Sequence, residues 1–150
     1  MIDGARHALH LLIAGNVFPS PRAVIARIPE RDAVVLPVGF KYSIATVVAH
    51  ADFWQRYWLS PLIGERVPDI RADWVIPSAG GWKAVREGFL DRFDAILELA
   101  ARDPFAHRMK SDTAAAGRLL MIAEHNAYHL GQVVLLKRAV RANRRNVEDT

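Results

Sequence analysis

Two histidines four residues apart, His125 and His129, stand in the run Glu124-His125-Asn126-Ala127-Tyr128-His129-Leu130-Gly131-Gln132. On a helix, residues i and i+4 share a face, roughly 5–6 Å apart. Two imidazoles so placed can close on one metal ion at about 2.0–2.1 Å per bond. A pair does not saturate a metal, so a further ligand must come from another element. His50, on a different predicted helix, is the candidate. A lone histidine on an apolar face is ordinarily a hydrogen-bonded core residue. Three buried imidazoles with no carboxylate nearby would be costly unless something satisfied their nitrogens, and a metal ion satisfies all three at once. His7 and His10 fall off the first helix's apolar stripe or at its edge, and His107 falls in a loop, so these three are read as non-ligands.

Three neutral imidazoles would leave the full charge of the metal in place and at least one coordination position open. The expected cofactor is a divalent transition metal (Zn, Ni, Fe or Mn), with Cu also suited to imidazole. An open position can hold water or a thiol and lower its pKa, giving a nucleophile that hydrolyses a bond or attacks an electrophilic carbon. Candidate helpers follow from the helical wheels. Gln132, three residues after His129, could hold a ligand ring or a metal-bound water. Tyr57 and Tyr128 flank the histidines and could hydrogen-bond a substrate. Arg118, two turns before His125, could pair with a substrate carboxylate. Trp54, with Phe53 and Trp58, is either core or the wall of an apolar pocket against the substrate. Each helper also has a plainer reading, as a satisfied polar group at the core edge or, for Arg118, a side chain reaching solvent.

The elements that must position these residues are helical. The first helix is predicted from about Asp3 to Ala14, with Ile2, Leu9, Leu12 and Ile13 on one stripe, closed by Gly15-Asn16. Pro19, Pro21, Pro29 and Pro37 forbid a long helix in the connection that follows, although Pro21 can open a short turn through Val24, Ile25 and Ile28. The second long helix is predicted from Ser43 as N-cap to Ser60-Pro61. Its wheel puts Val47, His50, Trp54 and Tyr57 on the core face and Asp52, Gln55 and Arg56 on the other side. A third runs from about Trp82 to Ala101, striped by Trp82, Val85, Phe89, Phe93, Ile96 and Ala100, with Asp103-Pro104 ending it. The fourth is predicted from Ser111 or Asp112 to about Asn143. Met121, Ile122, His125, His129, Gln132, Val133 and Leu136 form one face and Leu120, Ala123, Ala127, Gly131 and Val134 the opposite one. A helix apolar almost all round is buried on both sides, here against a close neighbour or a second subunit. No segment alternates with period two. The expectation is an all-α, single-domain chain over residues 1–150, a four-helix bundle with long inter-helix connections that allow a crossover.

Composition narrows the function classes. Hydrophobic residues make up 51% of the 150, so disorder is not expected. No apolar run reaches the ~18 residues that span a bilayer. The N-terminus lacks the basic-then-apolar order of a signal peptide. The absence of cysteine excludes disulfides and thiolate metal sites. A cytoplasmic location fits this. The formal charge is +4, with Lys137, Arg138, Arg141, Arg144 and Arg145 crowded at the C-terminal end. No aromatic interleaves with them, so nucleic-acid stacking is not expected, and they read as a helix C-terminus complementing the macrodipole, followed by a frayed tail.

His50 with Trp54 and Leu59 downstream, the phrase Tyr42-Ser43-Ile44-Ala45 before it, and the run from His125 to Gln132 followed by Val133-Val134-Leu135-Leu136-Lys137-Arg138 resemble the DinB-like superfamily. The likeness runs from the first helix to the fourth. It implies a four-helix bundle with His50, His125 and His129 as ligands of one divalent metal, often in a homodimer. The superfamily includes S-transferases and isomerases that use a low-molecular-weight thiol, bacillithiol or mycothiol. Taken with the metal chemistry above, the resemblance points to a thiol-dependent S-transferase, and a metal-bound water to a hydrolase, acting on a small-molecule substrate. The alternative is a non-catalytic metal-binding stress-response protein, whose metal the aromatic residues would seal from solvent.

Overall fold

The computed structural model describes residues 2–14, 18–78, 80–102 and 105–148. The Gly15-Asn16 and Asp103-Pro104 stops, and the side chain of Ile2, lie outside the described residues. Among those described there are helices and no strand: α1 (Ile2–Ala14), α2 (Pro21–Ile25), α3 (Glu30–Ala33), α4 (Ile44–Ile63), a single 3-10 turn at Ile70–Ala72, α5 (Trp82–Ala101) and α6 (Asp112–Glu148). The chain is all-α. Four long helices form the bundle, and α2 and α3 are carried by the first long connection. None of the helices is long and apolar enough to cross a membrane.

Helix α4 packs on α5 and α6, and α1 packs on the same two. So α1 and α4 take opposite corners, as do α5 and α6. The chain must cross the bundle between α1 and α4, which is what the long connection does. Trp82, at the start of α5, donates its indole N–H to the carbonyl of Ile28 (2.8 Å) and ties that connection down.

Local chemistry explains the helix ends. Ser43 Oγ accepts from the Thr46 N–H at 3.2 Å, and Ser20 Oγ accepts from the Ala23 N–H at 3.3 Å one residue before Pro21. Ser111 Oγ accepts from Ala114 N–H (3.2 Å) and opens α6. Two predicted ends shift. Helix α4 does not stop at Ser60-Pro61 but runs to Ile63 and closes on Gly64 at φ +78°, its amide reaching the Ser60 carbonyl. The extra turn buries Leu62 completely, which offsets the backbone hydrogen bond that Pro61 cannot donate. Helix α6 runs to Glu148 rather than Asn143, so Arg144 and Arg145 are helical, and Arg144 pairs with Asp32 of α3 instead of lying in a frayed tail.

The core falls into two apolar clusters. One joins Ile25, Val47, Val48, Ala51, Phe89, Leu130, Val133 and Leu136. The other joins Ile13, Leu59, Leu62, Phe93, Ile96, Leu119, Ile122 and Ala123. Between them α4 and α6 contribute a buried polar layer of His50, Gln55, Asn126 and His129, with His125 half-buried beside it. Gln55 is 1% exposed, contrary to the wheel that put it with Asp52 and Arg56. The reason is that α4 has two helical neighbours, so both of its sides are covered. Asp52 on the α5 side takes a forked ion pair from Arg92, with distances of 2.8 and 3.0 Å. The fourth helix shows the reverse. Met121, Leu120, Tyr128 and Leu135 are exposed in the single chain, so α6 is not covered all round. On α1, Ile13 is buried but Leu12 is exposed.

Candidate metal centre

The three predicted histidines meet. One ligand nitrogen from each of His50, His125 and His129 lies within 4.8 Å of the others. Helix α4 supplies His50 from its second turn, and α6 supplies the other two from one face. The ring Nε2 atoms of His125 and His129 stand 3.1 Å apart. Adjacent ligands on a metal with bonds of about 2.0–2.1 Å sit roughly 2.9–3.4 Å apart, so this spacing is compatible with two ligands on one ion as well as with an N–H···N hydrogen bond between the rings.

Tautomers follow from the other ring nitrogens. His50 Nδ1 lies 2.5 Å from Asp73 Oδ1, and His129 Nδ1 lies 2.7 Å from Gln132 Oε1. A carboxylate and an amide oxygen are acceptors, so each Nδ1 carries the proton and donates. Each Nε2 then presents a lone pair to the shared point. His125 Nδ1 is buried with no hydrogen-bond partner among the described residues. Burial, and then the neighbouring His129 and His50, push His125 down to about 3. Burial likewise pushes His129 down to about 4; the Gln132 hydrogen bond and Asp73 act in the opposite direction, while His50 adds to the lowering. Both rings are therefore neutral at pH 7 with lone pairs available, and no proton has to be displaced before a cation is held. The donor set fits a transition metal. Without a cation, the 3.1 Å contact is satisfied when one of the two rings donates its Nε2 proton to the other.

Asp73 corrects the expectation that no carboxylate lies near the histidines, since its carboxylate meets His50. It comes from the irregular connection between α4 and α5, just after the 3-10 turn. Its second oxygen accepts from the Trp54 indole N–H at 3.1 Å. The next residue, Trp74, stacks its ring on His50 with centroids 3.7 Å apart and planes 16° apart, and stacks on Tyr42 at 4.4 Å. Its φ of +57° is left-handed and costs a non-glycine residue about 1–2 kcal/mol. The Asp73 carboxylate accepts from the Trp74 amide at 2.8 Å, and that bond together with the two stacked rings holds the residue there. No periodicity marks a loop residue of this kind. The only local signal was a lone Asp-Trp pair in a proline-rich connection.

The proposed helpers are placed unevenly. Gln132 holds His129, as its spacing suggested. Trp54 reaches the site through Asp73 and packs against His125 with centroids 5.9 Å apart. Tyr57 is half-buried against Trp54, at 5.0 Å. Tyr128 meets His129 edge-on at 4.9 Å yet is 64% exposed. Trp58 also contacts His125, at 5.1 Å. Arg118 is half-buried, roughly 10 Å along α6 from His125, with no hydrogen-bond or ion-pair partner among the described residues. His107 serves a turn, accepting from the Met109 amide and facing Asp112 at 2.9 Å. It is not part of the cluster, and neither His7 nor His10 is.

No curated protein and no solved structure matches this chain. The family model of the DinB superfamily matches residues 22–133, from α2 through all three histidines, and the chain belongs to that superfamily.

Proposed function

We propose that this protein is a divalent-metal-dependent enzyme that activates a thiol or a water for transfer to, or hydrolysis of, a small-molecule substrate. The observation that carries the reading is the convergence of three imidazoles with two Nδ1 protons already committed to Asp73 and Gln132. His50, His125 and His129 would hold Zn, Ni, Fe or Mn. Bound there, the metal would supply Lewis acidity that makes a thiolate or hydroxide available near neutral pH. Asp73 and Gln132 orient the ligand rings. Trp54, Tyr57, Trp58 and Trp74 exclude water around them. Tyr57 and Tyr128 are the groups that could donate to a substrate, and Arg118 the cation that could meet a carboxylate at its far end. The superfamily supports a low-molecular-weight thiol as co-substrate, and S-transfer is preferred to hydrolysis on that ground.

A second reading rests on Trp74. Its ring covers one face of His50, and His50 and His129 are both buried. That favours a sealed, non-catalytic metal-binding protein of the stress-response kind. The two readings differ in whether an external thiol reaches the metal.

The test is elemental analysis of tag-free protein purified without a metal column, alongside a His125→Ala/His129→Ala variant. One equivalent of metal in the parent, lost in the variant with helical content kept, is expected. Cobalt-substituted protein then separates the readings, because a thiol entering the coordination sphere adds a thiolate-to-metal absorption band. Absence of metal and no uptake of Zn, Ni, Fe or Mn would sink both readings.

A homodimer and a cytoplasmic location complete the proposal. Met121, Tyr128 and Leu135 recur every seven residues on the exposed side of α6, the spacing of a helix–helix seam. Sedimentation should show twice the chain mass, reduced to one chain in Leu135→Glu.

A further inference from the structure

A second concave feature lies at a different level of α6. A cleft of about 230 Å³ opens between the α2–α3 segment and the C-terminal part of α6, and is lined by Arg27, Ile28, Asp32, Lys137, Val140 and Arg141 among others. Lys137 lies two turns beyond His129, roughly 12 Å along the axis. Ile25, Val47, Val48 and Val133 pack in the core between the two levels. The cleft is therefore separate from the histidine centre.

Its charge is unbalanced. Three of the lining side chains are cationic and one is anionic. That one, Asp32, is already paired with Arg144, with Arg31 also 4.0 Å away. Arg27 and Arg141 have no hydrogen-bond or acidic partner among the described residues. Lys137 is half-buried and donates one N–H to the Val24 carbonyl at 2.9 Å, which leaves two ammonium donors unused. Burial and the nearby Arg141 charge both lower its pKa. Like charges have been gathered into one concavity, and among the described residues Asp32, already paired with Arg144, is the only acidic side chain lining it.

We propose that this cleft binds the phosphate group of a small molecule. Two guanidinium forks and an ammonium present a net charge that suits a dianion better than a single carboxylate. The volume accommodates a phosphate with a small substituent, since a water occupies about 30 Å³. Concavity and the absence of an aromatic lining side chain argue against a nucleic-acid surface, which needs a track and stacking platforms.

The experiment is a titration of the full, chelator-treated chain with inorganic phosphate at fixed ionic strength, followed by amide NMR. Chelation removes binding of phosphate to a metal as a confounder. Saturable shifts are expected at Arg27, Ile28, Asp32 and Arg141, with chloride producing none. Affinity should fall at least tenfold in Arg27→Gln/Arg141→Gln. These two side chains have no hydrogen-bond or ion-pair partner among the described residues, so the variant should keep its melting temperature. A simple alkyl phosphate monoester binding more tightly than inorganic phosphate would identify a phosphorylated metabolite as the source, and the reverse order would identify free phosphate. Shifts that do not saturate, or that chloride reproduces, would overturn the proposal. So would saturation by short duplex DNA without saturation by phosphate.

Discussion

His50 Nδ1 and Asp73 Oδ1 lie 2.5 Å apart, a contact between the second turn of α4 and a loop residue 23 positions downstream. The carboxylate fixes the ring's tautomer and orientation, so that the opposite nitrogen presents its lone pair. Partners of this kind usually change metal affinity about 10–100-fold. Asp73→Asn keeps the shape and an acceptor oxygen but removes the charge. Metal affinity, measured by competition with a chromophoric chelator, is expected to fall about tenfold, and further in Asp73→Ala. Unchanged affinity in both variants would remove Asp73 from the site.

Trp54 reaches the centre through the same carboxylate, by its indole N–H to Asp73 Oδ2 at 3.1 Å. Trp54→Phe deletes that donor and keeps much of the ring. The single hydrogen bond is worth about 1 kcal/mol, or about fivefold in affinity if all of it is felt at the metal. The expected loss is therefore smaller than that of Asp73→Ala. Combining Trp54→Phe with Asp73→Ala should add little beyond Asp73→Ala alone, because the indole N–H acts through the carboxylate and the phenyl ring keeps most of the packing on His125. An additive double variant would show that Trp54 meets the metal or substrate by another route.

The metal-free protein should lose stability in acid in a defined window. Unfolded histidines titrate near 6.5, whereas folding holds His125 at about 3 and His129 at about 4. Between these limits the unfolded state binds more protons, so stability rises with pH. The contribution is complete above about 6.5 and is lost as pH falls toward 4 and then 3. Denaturant unfolding of chelated protein at constant ionic strength should show this slope, and His125→Ala should flatten it. An equal slope in parent and variant would mean that the ring is protonated when folded.

What the sequence made legible was periodic. The i, i+4 pair on α6 and the position of His50 on α4 gave the cluster, because both helices keep their register over many turns. The start of α5 at Trp82 and the cap at Ser43 were equally readable from local chemistry, and Ser111 was one of two candidates for the start of α6. Asp73 and Trp74 were not, since a loop delivers them and no pattern of spacing predicts which loop residue arrives. The wheel of α4 failed at Gln55 for a different reason. A single-stripe reading assumes one covered face, and α4 has two. Met121 failed in the opposite sense, because a hydrophobic residue on a long helix need not find cover within its own chain.

Gln55 supplies the last prediction. It is 1% exposed in the polar layer between the two apolar clusters, and neither Nε2 nor Oε1 has a partner among the described residues. A buried polar group left without a hydrogen bond costs about 1–3 kcal/mol. Methionine has a similar length and volume and carries no amide. Gln55→Met is expected to stabilise the protein by about 1 kcal/mol, part of the gain being returned as side-chain entropy and imperfect packing. Gln55 does not hold any of the three histidine rings, so metal affinity should not change. Denaturation and metal competition on the same variant check both halves. A loss of stability would show that the amide is satisfied inside the core. A loss of metal affinity with stability unchanged would place Gln55 in the metal centre, through the buried layer it shares with Asn126.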